Sequence, residues 1–182
     1  MIVKVGKIED FFLSSYTGQG YFSFFNDRLE KAKEVYLIQG GTSRIRSRIM
    51  RNLAINFVDR GYQVQRVHSP ANLKNLEGLI IPELGILFIG EDCYRLLSTE
   101  LSLNWKKVLD LNDILDEEKF RESKDRIHKM LERINIHREL VYENLRKLEE
   151  LEEKLEDIYQ ESVNFHKVNE LEEKFIEKIL DI

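Results

Sequence analysis

A single cysteine, Cys93, in 182 residues excludes an internal disulfide framework and any zinc site built from several thiolates, which suits a reducing, cytoplasmic setting. Long apolar runs are missing as well. No window approaches the ~18 apolar residues needed to cross a bilayer, and the opening MIVKVGKIED lacks the apolar core of a secretory leader. Excess positive charge is also absent. A net charge of −5 removes the general electrostatic drive toward nucleic acid or an anionic membrane surface. Glycine and proline are confined rather than scarce, since all nine glycines and both prolines precede residue 91.

What is present divides the chain in two. Residues 1–110 alternate short β-like runs with helical patterns, whereas residues 111–182 carry dense Glu and Lys without glycine or proline. The length suits one domain with an appended helical piece. Val35-Tyr36-Leu37-Ile38 reads as a strand buried on both faces of a parallel sheet. Ser47–Arg60 places Ile49, Met50, Leu53, Phe57 and Val58 at helical spacing, and Gly61 supplies a stop. Tyr62–His68 alternates like a strand, and Asn72–Glu77 allows at most a helical turn. Two apolar runs, Leu79–Ile81 and Ile86–Ile89, flank the turn-like Pro82-Glu83-Leu84-Gly85. This order implies an α/β fold, a parallel sheet of four or five strands flanked by helices.

The second half predicts long helices. Leu131, Ile134, Val141, Leu145, Leu148, Leu155 and Tyr159 recur at steps of three and four, a seam that Arg138 and Glu152 interrupt. Acidic residues in Asp116–Phe120 mark its start. The pattern breaks near Ser162–Val168, and Asn169 is placed to cap a last helix carrying Leu171, Phe175, Ile176, Ile179 and Leu180. An antiparallel helical hairpin is the economical arrangement.

Between the first buried-type run and its following helix lies QGGTSRIRSRIMR, Gln39–Arg51. A phosphate-binding P-loop has the form G-x-x-x-x-G-K-[ST] between a strand and a helix, where backbone amides wrap phosphate, lysine reaches its outer oxygens and the hydroxyl ligates magnesium. Gly40 and Ser47 fit that frame, while Ile45 stands at the second glycine and Arg46 at the lysine. The candidate phosphate-binding residues are therefore Gly40, Gly41, Thr42, Ser43, Arg44, Arg46 and Ser47, with Ser47 as the metal ligand if magnesium binds. A β-branched residue hinders close approach of backbone to phosphate, and a planar guanidinium does not replace a compact ammonium. The residues alone leave open a plain βα turn followed by a solvated, arginine-rich helix start.

Other candidates are fewer. His68 and Glu83 are candidate edge residues of the site, each with a structural alternative, a hydrogen-bonded histidine or a turn-fixing glutamate. His128, His137 and His166 lack metal-ligand spacing. The aromatic cluster Phe11, Phe12, Tyr16, Tyr21, Phe22, Phe24 and Phe25 calls for packing over the sheet or against the tail, with a base-stacking platform as the alternative.

More of the chain then becomes familiar. YTGQGYFSFF at Tyr16–Phe25, GGTSRIRS at Gly40–Ser47, HSPAN at His68–Asn72, LEGLIIPELG at Leu76–Gly85 and GEDCYR at Gly90–Arg95 follow one another in the order of known motifs. In these segments, and in LNDILDEEKFRESKDRI and SVNFHKVNELEEKFIEKIL of the tail, the sequence resembles an uncharacterised family of P-loop ATPases from spore-forming Firmicutes, whose members carry two P-loop halves in tandem. This chain looks like one N-terminal half with its helical insert. The family's loop reads GGPGTGKS, so the Walker A motif here is degenerate, and Gly90 stands where the family has an aspartate.

The resemblance implies ATP and magnesium as cofactors, and the degraded motif implies a protein that binds nucleotide or phosphate, or serves in assembly, without hydrolysis. Two further readings stay open. One is a divergent active ATPase in which Glu91 or Asp92, one and two residues past the vacant aspartate position, supplies the magnesium-side carboxylate. The other is a helical interaction scaffold. A lone half of a tandem protein is expected to pair with a second copy, or with a related P-loop protein, through its tail.

Overall fold

The computed structural model describes residues 5–97 and 107–180. Among the described residues, eight strands and five α-helices follow in the order β1 (Ile8–Phe11), β2 (Ser14–Thr17), β3 (Gly20–Ser23), α1 (Phe25–Lys31), β4 (Glu34–Gln39), α2 (Ser43–Asp59), β5 (Val64–Ser69), β6 (Asn72–Ile81), β7 (Ile86–Gly90), α3 (Glu91–Leu96), β8 (Lys107–Asp110), α4 (Glu117–Ser162) and α5 (Phe165–Leu180). Strands β2 and β3 form a separate hairpin, while the other six make one sheet in the order β1-β5-β6-β7-β4-β8.

The expected parallel sheet is corrected to a mixed one. Strands β1 and β5 are parallel, as are β4 with β7 and β8, but β6 is antiparallel to both neighbours. Only β6 runs against the rest, because short turns at Pro70-Ala71 and Pro82–Gly85 join it to β5 and β7. The helical turn expected over 72–77 is likewise replaced by strand, drawn in by pairing of Leu76 with His68 and of Asn72 with Ser69. One consequence places the site. The carboxyl ends of β1, β4, β5, β7 and β8 share a single edge with the start of β6.

Helices cover both faces of the sheet. On one face α2 lays Met50 and Ala54 against Ile38, Val64, Leu76, Leu79 and Ile81. On the other, Phe25 and Leu29 of α1 and Cys93 of α3 pack with Leu37, Val67, Leu87 and Ile89. Burying each large apolar side chain contributes roughly 1.5–3 kcal/mol. Gly78 is required by that second layer, because a Cβ there would lie 2.8 Å from the Phe25 ring. The aromatic cluster divides accordingly. Phe25 is fully buried, whereas Phe12, Phe22 and Phe24 remain more than half exposed.

The tail departs furthest from expectation. Asp116 caps α4 by accepting from the Lys119 amide, so the helix begins as its sequence suggests. It then runs unbroken for 46 residues. Its break falls at Val163-Asn164, and Asn164, rather than Asn169, caps α5 by accepting from the Lys167 amide. The expected closed hairpin does not form. Every residue from 151 to 180 is exposed, so α4 and α5 bury no shared seam. Helix α4 instead rests on the β2–β3 hairpin, where the Tyr16 and Tyr142 rings lie 5.7 Å apart and the Gly18 amide donates to Glu149 at 2.9 Å.

Candidate functional site

Gly40 and Gly41 both have positive φ, 75° and 59°, the left-handed region that favours glycine. They turn the chain sharply off β4. Thr42 then takes an extended conformation and caps α2, its hydroxyl accepting from the Ile45 amide. Helix α2 therefore opens at Ser43, four residues before the start expected from the apolar spacing. The motif from Ser43 to Ser47 lies inside the helix and does not wrap outward as a loop. Ile45 escapes the strain of a positive φ by being helical, with its side chain 44% exposed beside Gly41.

Arg46 decides what this turn can do. It is 3% exposed, pointing inward rather than toward solvent. Its guanidinium donates to the Gly40 carbonyl at 2.6 Å and the Gly41 carbonyl at 3.3 Å. It also pairs with Asp92 and lies 3.8 Å from the Glu91 carboxylate. Glu91 accepts the Gly40 amide at 2.8 Å and is held from outside by Arg95. A protein carboxylate thus sits on an amide that would face phosphate in a working loop, and the cation is neutralised by two acids of α3. A planar, multi-donor guanidinium suits this bracing of carbonyls and carboxylates better than an ammonium would.

The remaining motif residues are committed too. The Ser47 hydroxyl, 2% exposed, accepts the Leu76 amide at 2.9 Å and ties α2 to β6. Ser43 accepts from Asn75 at 3.2 Å. Gly40 is roofed by Asn112, whose atoms would stand 2.7 Å from a Cβ on the glycine. Arg44 is exposed beside Gly41 and Thr42. With Ser47 turned to β6 and Arg46 turned to α3, these residues do not fit a magnesium-bound triphosphate in the manner the motif implies. Among the described residues, no group of three His, Cys, Asp or Glu side chains is placed to hold a metal ion.

The two edge candidates lie apart from this turn. His68 shares the edge but sits on β5, three strand spacings from β4, about 14 Å at the usual separation. Its ring nitrogens face the Leu73 carbonyl at 2.8 Å and Asp10 at 2.7 Å. Arg66 grips the same Asp10 with two hydrogen bonds of 2.8 Å, which hold the aspartate down at about 2. Glu83 is at the opposite edge, in the turn before β7, where its carboxylate accepts the Gln63 amide at 3.1 Å. It fixes a turn and has no part in the loop.

Sequence reasoning missed a second polar cluster. Glu77, 9% exposed, lies on β6 beneath the β2–β3 hairpin. It accepts from the Ser14 hydroxyl at 2.5 Å and from the Tyr21 hydroxyl at 3.1 Å, and that hydroxyl lies 3.4 Å from the Cys93 sulfur. Burial pushes the Glu77 carboxyl above its ordinary range, and burial likewise raises the Tyr21 and Cys93 groups. The available signal was a lone acid inside the apolar run LEGLII. No protein-family model, curated protein or solved structure matches the chain.

Proposed function

We propose that this protein is a degenerate P-loop-like module that no longer hydrolyses nucleotide and serves assembly in the cytoplasm. Its helical extension is the part that meets a second copy or a related P-loop protein. The observation that carries this reading is Arg46, buried and spent on the Gly40 and Gly41 carbonyls and the acids of α3. Phosphoryl transfer needs cations and magnesium aimed at the transferring group. In this chain the cation and the hydroxyl at the motif positions serve the fold.

The test is calorimetric titration of the full chain with ATP, ADP and sulfate, with and without magnesium, beside a hydrolysis assay. No magnesium-dependent turnover is expected, and any anion heat is weak and magnesium-independent. Turnover that disappears in Arg46→Ala, with the variant shown to be folded, would establish the active-ATPase reading instead. For assembly, light scattering on the full chain should show self-association that Leu148→Glu with Leu155→Glu removes, since both side chains stand about half exposed on one side of α4. A monomer at high micromolar concentration, with no related P-loop protein bound, would overturn the assembly reading.

A further inference from the structure

The long helix touches the α/β body through a small part. Strand β2 and the β2–β3 turn carry α4 by the Tyr16–Tyr142 ring contact and the Gly18 amide on Glu149. The hairpin in turn is held to the sheet by Glu77, because one carboxyl oxygen takes hydroxyls from both strands, Ser14 of β2 and Tyr21 of β3. A single side chain of β6 therefore clamps both arms of the element on which the tail rests.

Among the described residues no ion pair reaches that clamp. The groups facing Glu77 are Ser14, Tyr16 and Tyr21 of the hairpin, Ser69 of β5, and Asp92 and Cys93 of α3. None is a cation. Asp92 adds repulsion, and the basic groups at α3 are already paired, Arg46 with Asp92 and Glu91 and Arg95 with Glu91. An ionised carboxylate buried among hydroxyls and a like charge carries a large desolvation cost, whereas the protonated acid is neutral and keeps its hydrogen bonds.

We propose that Glu77 is a pH-sensitive latch: protonated, it clamps the β2–β3 hairpin and with it α4 to the sheet, and ionised, it loosens both. The sign follows from the raised native value. The acid binds its proton more readily in the latched state than in the open one. The latched state is therefore fully favoured at low pH and loses its advantage as pH rises through the shifted range. The inference concerns an intramolecular contact and stands whether or not the tail is the assembly surface.

Amide hydrogen exchange of the full chain tests it, comparing wild type with Glu77→Gln at each pH so that the intrinsic chemistry of exchange cancels. In peptides covering residues 14–23 and 138–149, the wild-type to variant rate ratio should rise about tenfold between about pH 5 and about pH 9, with peptides of α2 unchanged. A flat ratio, or an equal rise in every peptide, overturns the latch. If Glu77→Gln does not fold, Ser14→Ala decides. Removing a donor to the ionised form must move the wild-type midpoint of loosening to higher pH, and an unchanged or lower midpoint overturns the proposal.

Discussion

Phe25 and Phe175 are the same side chain in opposite circumstances. The first is fully enclosed by Leu29, Leu87 and the bare backbone of Gly78, and the second stands 56% exposed on a helix that buries nothing. The contrast extends through the two regions that contain them. In the α/β part, the residues of the two core layers face one another across the sheet, and the buried Arg46, Ser47 and Glu77 all find hydrogen-bond partners. Over residues 151–180 of the tail, a comparable amphipathic pattern meets no opposing surface among the described residues. Periodicity therefore establishes that a helix has a preferred face, and only packing shows whether that face is satisfied.

Truncating the two phenylalanines sharpens the contrast most. Phe25→Ala should lower unfolding stability by about 3–5 kcal/mol, the usual cost of emptying a filled aromatic site. Phe175→Ala should stay within about 0.5 kcal/mol for the isolated chain. Urea denaturation read by circular dichroism gives both values. A large loss in Phe175→Ala would mean that α5 is covered in solution, and the difference between the two regions would dissolve.

The arginines of the turn make the same comparison at closer range. Arg46 is buried on carbonyls and acids, while Arg44, two residues earlier, is solvated. Arg46→Ala leaves the Gly40 and Gly41 carbonyls without their donor and should cost about 3 kcal/mol. Arg44→Ala should cost less than about 0.5 kcal/mol. The pair is measured as shifts in denaturation midpoint at unchanged slope. Equal effects would mean that Arg46 is not the brace of the turn.

Local signals in the sequence are legible where they are self-contained. The buried strand Val35–Ile38, the glycine stop after α2 and the acidic start of α4 each depend on residues within one turn or strand. The start of α2 is signalled by Thr42, a good capping residue, whereas the apolar spacing points to Ser47. Nonlocal facts were not legible. Strand β6 owes its conformation over Asn72–Glu77 to pairing with β5, and nothing in NLKNLE announces a partner strand. Likewise the motif positions place Arg46 at the turn, but a rotamer directed at α3 depends on Glu91 and Asp92, brought alongside by the β4–β7 pairing.

The smallest expected effect concerns the outer edge of the sheet, where Asp10 joins β1 to β5 through Arg66 and His68. The Arg66 hydrogen bonds lower Asp10 to about 2 from an ordinary value near 3.8. For a depressed acid, the stabilisation is present above the unfolded value and is lost as pH falls through the native one. Full linkage for such a shift would approach about 2.4 kcal/mol. The Asp10 side chain is 49% exposed, so screening reduces the expected contribution to about 1 kcal/mol. Asp10→Asn should therefore lower stability by about that amount near neutral pH and flatten the loss between about pH 4 and about pH 2. Because this pair is solvated, the difference should also shrink in ~1 M salt, unlike the effect of Arg46→Ala. An Asp10→Asn cost that persists undiminished in salt would place Asp10 among the buried contacts, and the line between enclosed and solvated ion pairs in this sheet would have to be redrawn.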